Sequence, residues 1–520
     1  MKRKLFRVLK ITSLLIMGLV LLFFAGVYWP LQNLEVPEIH ETILIKSISV
    51  IDIESGTLIK DQDIKITGNR ITEIGISGSV NSADEIFIIN GQGKYVIPGL
   101  WDMHTHSNVH SEWLHHPLYI ANGVTTIRDM SGTLDKEDAY WVGSKTRLQW
   151  NKDLQNKKRV TPRYVLQGSY QIDGEQSVPN GVPNFFKLNN KKDVEPFLDF
   201  YKKEQVDFIK IYQQIKPESY RELAKKASQY NMHLAGHKPI FISLEEAIKA
   251  GQKSFEHGRI FMYDCFPHAD SLRLSLNWRK NYSLYKNEMI DQFDDRKAEE
   301  LMQLMSEENA YWTPTLQTLK FEANAHKEEF LNNSMTKYIS IARKKLWWSF
   351  DISGNKERNL AHPNHIISEK FYGKSKELVS KANSLGVPIM VGTDVTDSYT
   401  FAGFSVHQEL IDLVDAGLSN IEALRAATMI PAEYANKEYE LGSIETGKLA
   451  DMVILDKNPL KFISNTKEIY GIIQNGMYYD KQKIEELKSS TESMASSYHM
   501  NIKIFYSFIT SELLLVQFND

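Results

Sequence analysis

One cysteine, Cys265, stands in a chain of 520 residues. That scarcity excludes an intramolecular disulfide framework and any zinc site built from several cysteines. A metal in this protein has to be held by histidine, carboxylate or a less usual donor. An excess of charge of one sign is also missing. The 61 Lys and Arg stand against 65 Asp and Glu, for a net charge of -4, and no long basic stripe is present. Nucleic acid is therefore a poor partner, because phosphate binding needs clustered Lys and Arg, and a small-molecule substrate is the expectation.

Charge is absent altogether from Ile11 to Tyr28, a run preceded by Lys2, Arg3, Lys4, Arg7 and Lys10. As a helix rising ~1.5 Å per residue the run reaches ~27 Å, nearly the thickness of a bilayer core. Residues 1–10 then form a basic cytoplasmic N-terminus and 11–28 a transmembrane anchor. Glu35, Glu38 and Glu41 fall beyond the membrane, so the body of the chain is expected on the periplasmic or extracellular side. A cleaved signal segment, giving a secreted protein, is the rival reading. Bulky Tyr28-Trp29-Pro30 follow Ala25-Gly26-Val27 and leave no small-x-small cleavage site, which favours the anchor.

The remainder divides by periodicity. Residues 42–98 carry short alternating apolar segments with turns at Ser55-Gly56 and Gly68-Asn69, and a similar pattern returns over 441–482; together they predict a small β-sandwich built from both flanks. Between them, over 99–440, apolar strand candidates alternate with helical stretches, as in a parallel sheet. Eight strands are expected, at 95–103, 123–129, 163–168, 207–212, 232–237, 253–257, 311–316 and 387–394. Eight such units make a closed (β/α)8 TIM barrel, whose chemistry sits at the C-terminal ends of the strands.

Polar side chains collect at those ends. His104 and His106 follow the first strand, and their i,i+2 spacing projects both from one face. With 15 His in the chain, chance alone supplies about 0.4 such pairs, so the pair needs partners to mean anything. Lys210 lies late in the fourth strand, His237 ends the fifth, His257 the sixth and Asp394 the eighth. Singly each has a plainer reading: a snorkelling lysine, hydrogen-bonded core imidazoles, an aspartate capping a following helix. Jointly, six donors would have to meet by accident at one end of one barrel.

Pro-Gly-Leu-Trp-Asp-Met-His-Thr-His, Gly-Val-Thr-Thr-Ile-Arg-Asp, Phe-Ile-Lys-Ile-Tyr, Ala-Gly-His, Glu-His-Gly, Gly-Thr-Asp and the closing Gly-Lys-Leu-Ala-Asp-Met-Val-Ile-Leu resemble the metal-dependent amidohydrolase superfamily over residues 42–480. The resemblance is to its imidazolonepropionase-like and Xaa-Pro dipeptidase-like branch. It implies that His104, His106 and Asp394 hold one divalent ion and His237 and His257 another. Lys210 bridges the two as a carbamate made with CO2. Zinc is the first choice, with manganese, iron or nickel also suited to such ligands. A metal-bound hydroxide then attacks an amide-type carbonyl of a small molecule, N-acyl amino acid or dipeptide, and Asp394 passes a proton to the departing nitrogen.

Two further classes stay open. A mononuclear deaminase or cyclic-amide hydrolase would need no bridge at Lys210, and a membrane-tethered binding protein on a retired barrel would need no chemistry at all. Loops after the third strand, from Gln167 onward, and after the sixth, Arg259 to Tyr311, are expected to shape the pocket. Tyr212 and Arg259 are candidate substrate contacts there, against the plainer readings of a packed tyrosine and an exposed arginine. Residues 318–382 read as a helical insertion whose aromatics, around Lys344-Lys-Leu-Trp-Trp, pack rather than bind. The tail 483–520 has no evident role. Its apolar part, Ile502 to Phe518, carries Lys503 and Glu512 and is too short and charged for a second span.

Overall fold

The flanking alternation folds as strands. In the computed structural model, which describes residues 2–80, 86–134, 136–174, 184–275, 278–361 and 364–517, β1 (Thr42–Ile51), β2 (Leu58–Thr67), β3 (Arg70–Ile76), β4 (Phe87–Asn90) and β5 (Tyr95–Pro98) precede the central region. The matching C-terminal strands are Met452–Leu455, Ile469–Gln474 and Met477–Tyr479. Strands from both flanks share a single hydrogen-bonded sheet, where a sandwich was expected. Its seam is the antiparallel pairing of Tyr95–Pro98 with Met452–Leu455. Ile43, Ile45, Ile64, Ile66, Met452, Ile454 and Ile473 bury one face of it as a separate core, which is what period-2 apolar spacing provides.

The first expected central strand, 95–103, is split. Tyr95–Pro98 stays in the flanking sheet and β6 (Leu100–Thr105) begins the central set. The break is at Gly99, where any Cβ would stand 2.1 Å from Thr125 Oγ1. Only a bare backbone passes between the two layers there.

Six more central strands follow: β7 (Val124–Asp129), β8 (Arg163–Tyr164), β9 (Phe208–Ile211), β10 (His233–Gly236), β11 (Gln252–Glu256) and β12 (Tyr311–Thr313). All their pairings are parallel. β6, β7 and β9 are buried at every residue, the pattern of parallel strands covered on both faces. Two expected strands are shorter than their apolar runs: β8 has two residues, and β12 stops before Pro314, which has no N–H to donate. The expected eighth strand forms no regular ladder. It is joined by single parallel bridges instead, Trp312 to Ile389 on one side and Thr105 to Val395 on the other, while Gly168 to Phe208 links β8 to β9. The ladders themselves form two parallel sheets, β6-β7-β8 and β9-β10-β11-β12, with these isolated bridges between them and to 389–395.

Helices alternate with these strands and follow them along the chain. Over 316–384 they include Leu316–Asn324, Ser349–Leu360 and Asn364–Ser384, with a π-helical turn at Lys344–Trp348. The tail folds as Lys481–Ser496, Tyr498–Thr510 and Glu512–Gln517. At the other end α1 (Lys2–Tyr28) contains a stretch, Arg3–Tyr28, apolar and long enough to cross a membrane. Its apolar side chains are exposed from Leu5 to Leu22.

Candidate metal centre

Side chains from five strand ends meet in one cavity of about 380 Å³. It is lined by all six proposed donors, His104, His106, Lys210, His237, His257 and Asp394. Asp394 lies at the middle of the contacts. Its Oδ1 is 3.0 Å from His106 Nε2 and 3.4 Å from His104 Nε2, and its Oδ2 is 3.5 Å from His257 Nδ1. His257 Nε2 in turn faces His237 Nε2 at 3.0 Å. Donor atoms of His104, His257 and Asp394 all lie within 4.8 Å of one another.

The backbone is bent to achieve this. His257 has φ +72° and Asp394 φ +60°, left-handed values that cost a non-glycine residue about 1–3 kcal/mol and persist where neighbours impose them. The neighbours are visible. His257 N donates to Thr313 O at 2.8 Å, and Asp394 N donates to His104 O at 2.8 Å. Gly392 permits the last approach, since a Cβ there would meet Thr313 Cγ2 at 2.4 Å and His104 Cβ at 2.9 Å.

Electrostatics favour neutral imidazoles beside an ionised carboxylate. Burial, with the nearby Lys210 charge, lowers His106 to about 4; burial lowers His257 to about 3 despite the attraction of Asp394. His237 is held well below its usual value by burial and by His257. Burial works against the Asp394 carboxylate, yet His104, His106 and His257 together keep it well below the ordinary range. Neutral imidazoles present lone pairs, the form in which histidine binds metal.

Lys210 is the unusual member. It is only 3% exposed, and no hydrogen bond or ion pair reaches its Nζ among the described residues. Burial lowers it to about 8, outweighing the pull of Asp394, Glu256, Asp129 and Asp397.

A second layer orients the first, and sequence reasoning assigned it no role. Glu256 Oε2 lies 3.0 Å from His104 Nδ1, and Glu256 Oε1 accepts from Arg128 Nη2 at 2.7 Å and from Ser254 Oγ at 2.7 Å. Burial would raise the Glu256 carboxyl, but Arg128 and His104 bring it down to about 2. An ionised carboxylate only accepts, so His104 donates from Nδ1 and turns its Nε2 toward the cavity. That Nε2 is buried with no hydrogen-bond partner, as befits a nitrogen intended for a cation. Asp102 pins the strand from below, accepting from Thr393 Oγ1 at 2.6 Å, Thr393 N at 3.0 Å and His104 N at 3.3 Å. Burial pushes its carboxyl up to about 7, against the lowering effect of those bonds. Glu256 and Arg128 belong to the motifs Glu-His-Gly and Thr-Thr-Ile-Arg-Asp. Their composition was in view, but the pairing of two residues 128 positions apart leaves no local signature.

The two candidate substrate contacts both line the cavity. The Tyr212 ring packs against His237 with centroids 4.4 Å apart. Arg259 is half-buried rather than freely exposed, and its guanidinium already pairs with Glu322. The loop after the third strand supplies Gln171 and then enters 175–183, outside the described residues. A wall that sequence reasoning missed comes from the helical insertion: Glu322, Trp347, Asp351, Asn355 and Arg358. Of the two adjacent tryptophans, Trp348 packs as expected, 2% exposed and stacked on Tyr399 at 5.0 Å. Trp347 faces the cavity instead.

The fold is shared with solved hydrolases. Bottromycin amidohydrolase superposes with a TM-score of 0.67 at 19% identity, covering 88% of this chain and 91% of that one. A Xaa-Pro dipeptidase with methionine bound in its active site gives 0.59 at 21% identity, covering 84% and 100%. Among curated proteins, 5-methylthioadenosine/S-adenosylhomocysteine deaminase of Carboxydothermus hydrogenoformans is 42% identical over 65 residues, 12% of this chain and 15% of its own. The chain thus spans about a sixth or less of the first curated relatives it matches. The model of the amidohydrolase family matches residues 209–479, just over half of the chain and the part that carries Lys210, His237, His257 and Asp394. On that match, and on the fold around it, this chain belongs to the amidohydrolase family.

Proposed function

We propose that this protein is a metal-dependent hydrolase that cleaves an amide-type carbon–nitrogen bond of a small molecule, an N-acyl amino acid or a dipeptide, at the strand ends of a (β/α)8 barrel spanning 99–440. The observation that carries the reading is Lys210, a buried amine with no hydrogen bond or ion pair among the described residues, set among neutral imidazoles and the Asp394 carboxylate. A lysine near 8 is unprotonated often enough to take up CO2, and the resulting carbamate is an anion with two oxygens. In this reading His104, His106 and Asp394 hold one ion, His237 and His257 the other, and carboxylated Lys210 bridges them. The 3.0 Å between the Nε2 atoms of His237 and His257 suits two ligands of one small ion bound at ~2.0–2.1 Å. Zinc fits the donor set best, and two bound divalent ions supply Lewis acidity and an acidified water at neutral pH.

The chain's own groups do the rest. Glu256 fixes the tautomer of His104, and Thr315 Oγ1, 2.9 Å from His257 Nδ1, fixes that ring. Asp394, kept ionised, receives a proton on Oδ1 or Oδ2 and returns it to the leaving nitrogen. Tyr212 and Arg259 flank the bound substrate. The helix α1 is retained as an anchor, with the body on the non-cytoplasmic side.

The short matches to deaminases favour a second reading, a mononuclear deaminase in which Lys210 does not bridge. Metal analysis separates the two. Protein purified with zinc and bicarbonate is expected to hold two ions per chain, to show a carbamate carbon after 13C-bicarbonate labelling, and to hydrolyse members of a panel of N-acyl amino acids and dipeptides. One ion, no carbamate and turnover of aminopurine nucleosides would replace the first reading with the second.

A further inference from the structure

The tail helix Tyr498–Thr510 joins two parts of the molecule that have no other reason to meet. On one side it takes the end of α1. Tyr506 packs on the rings of Phe23, Phe24 and Tyr28 at 6.3–6.4 Å, and Phe505 on Phe23 at 6.3 Å. Gly26 is the contact point with Ile502, whose Cδ1 would be 3.3 Å from any Cβ placed there. Lys503 Nζ donates to Val27 O, and His499 Nε2 is 3.0 Å from Trp29 O, so cationic and ring N–H groups meet carbonyls left over at a helix C-terminus.

On its other side the same helix takes the cavity wall. Phe508 meets Tyr140 at 5.2 Å and Trp347 at 6.3 Å. Tyr140 packs on Trp141 at 4.8 Å, and Trp141 on the ring of His106 at 6.2 Å. Ser507 Oγ is 3.1 Å from His110 Nε2. From the membrane helix to a proposed metal ligand there are thus four aromatic contacts.

The third face of the helix is bare. Tyr498, Phe505 and Ile509 are 78%, 40% and 51% exposed, and their i, i+7, i+11 spacing places them within about 40° of one another around the axis. The helix has no Asp or Glu. This stripe continues onto Tyr28 and Trp29, 70% and 68% exposed, and onto the exposed apolar length of α1. A second protein chain would have to cover all of that surface; a bilayer does so by itself. Some twenty residues of α1 fill a ~30 Å hydrocarbon core. With Arg7 and Lys10 on the inner side the core runs from Ile11 to Tyr28, ~27 Å as helix, so residues 23–28 and the helix packed on them stand at and just below its outer boundary, where Tyr and Trp concentrate.

We propose that the Tyr498–Thr510 helix lies in the outer interface of the bilayer with Tyr498, Phe505 and Ile509 against lipid, and so holds Trp141 and Trp347, two walls of the cavity, beside the membrane surface. This rests on the reading of α1 as a retained anchor, and it gives the tail the role that its sequence lacked.

Cys265 is fully buried, so an introduced cysteine takes an environment-sensitive fluorophore selectively. Full-length protein is reconstituted in phosphatidylcholine nanodiscs with or without lipids brominated near the headgroup end of the chain. Labels at F505C and I509C are expected to lose about threefold in intensity with brominated lipid, as for a helix sunk 5–10 Å into the boundary. Y498C reports the same face should either variant fold poorly. A label at E308C, just before β12 and at the opposite end of the strands from the cavity, is expected to be unaffected. L15C, inside α1, tests the anchor separately. Quenching at 15 with none at 498, 505 and 509 overturns the interfacial helix and leaves the anchor; no quenching at 15 removes the anchor and this inference with it.

Discussion

The two halves of the cavity are built differently. The floor comes from strand ends, where each imidazole and carboxylate is set by a backbone bond or a buried charge: Glu256 on His104, Thr315 on His257, Thr393 through Asp102 on β6. The wall comes from helices 318–382 and, behind them, from the tail, and its members Trp347, Asn355 and Arg358 line the cavity without belonging to the donor set. A floor so constrained performs one kind of chemistry. In the proposed reading the strand ends carry the chemistry and the helices over them select the substrate, on separate pieces of chain.

Removing the Lys210 amine should break the floor most completely. Lys210→Ala is expected to lower kcat by about 10³-fold or more with the melting temperature little changed, since the group acts on the reaction rather than on packing. Activity within tenfold of the parent would show that Lys210 takes no part. Glu256→Gln should weaken the floor from beneath. It leaves Arg128 buried with a neutral partner, for a loss of up to about 3–5 kcal/mol in stability, and it frees the His104 tautomer, for about 10–100-fold in metal affinity. Denaturant titration and competition with a chelator measure the two effects, and a change in neither would remove Glu256 from the site.

Acid should act on both sides, since His106 and His257 in the floor are lowered by burial as His110 is behind the wall. His110, which follows β6 and faces Ser507 of the tail, is lowered to about 3 by burial and by Lys503, while an unfolded histidine titrates near ~6.5. A depressed value in the folded state means stability that is present above ~6.5 and is lost as the pH falls from there toward 3, by a few kcal/mol on the order set by linkage. Melting temperatures measured across pH 7 to 4 should fall, and His110→Gln should flatten that slope; an unchanged slope would place the acid sensitivity elsewhere. Trp347→Ala should give the smallest effect. It is expected to shift the ratio of kcat/KM between a bulky and a compact substrate by about tenfold with metal content unaltered. An equal loss on both substrates would join the wall to the floor.

Much of the floor was legible before folding was known. His104 and His106 announce themselves by i,i+2 spacing at the end of an apolar run, and Asp394 by its place after another. The members that orient them were not legible. Glu256 and Arg128 meet across 128 residues, and a buried ion pair has no local pattern to distinguish it from two ordinary charges. The short third strand and the ladderless eighth were overdrawn for a related reason. Apolar runs mark burial, but hydrogen-bond register depends on which neighbours arrive. Trp347 and Trp348 make the point in miniature: adjacent and identical in type, one packs and one faces the cavity, because successive residues on a helix point about 100° apart.

Local order along the chain was enough to establish a flanking β-region, alternating strands and helices, one span-length apolar helix and a series of donors at strand ends, because each depends on periodicity or on side-chain chemistry within a few residues. Folding decided the rest. It brought the donors to within hydrogen-bond distance of one another, joined the flanks into one sheet, set the insertion over the cavity and laid the tail between α1 and Tyr140. Those outcomes depend on contacts between residues tens to hundreds of positions apart, whose energies appear only when the chain has closed on itself.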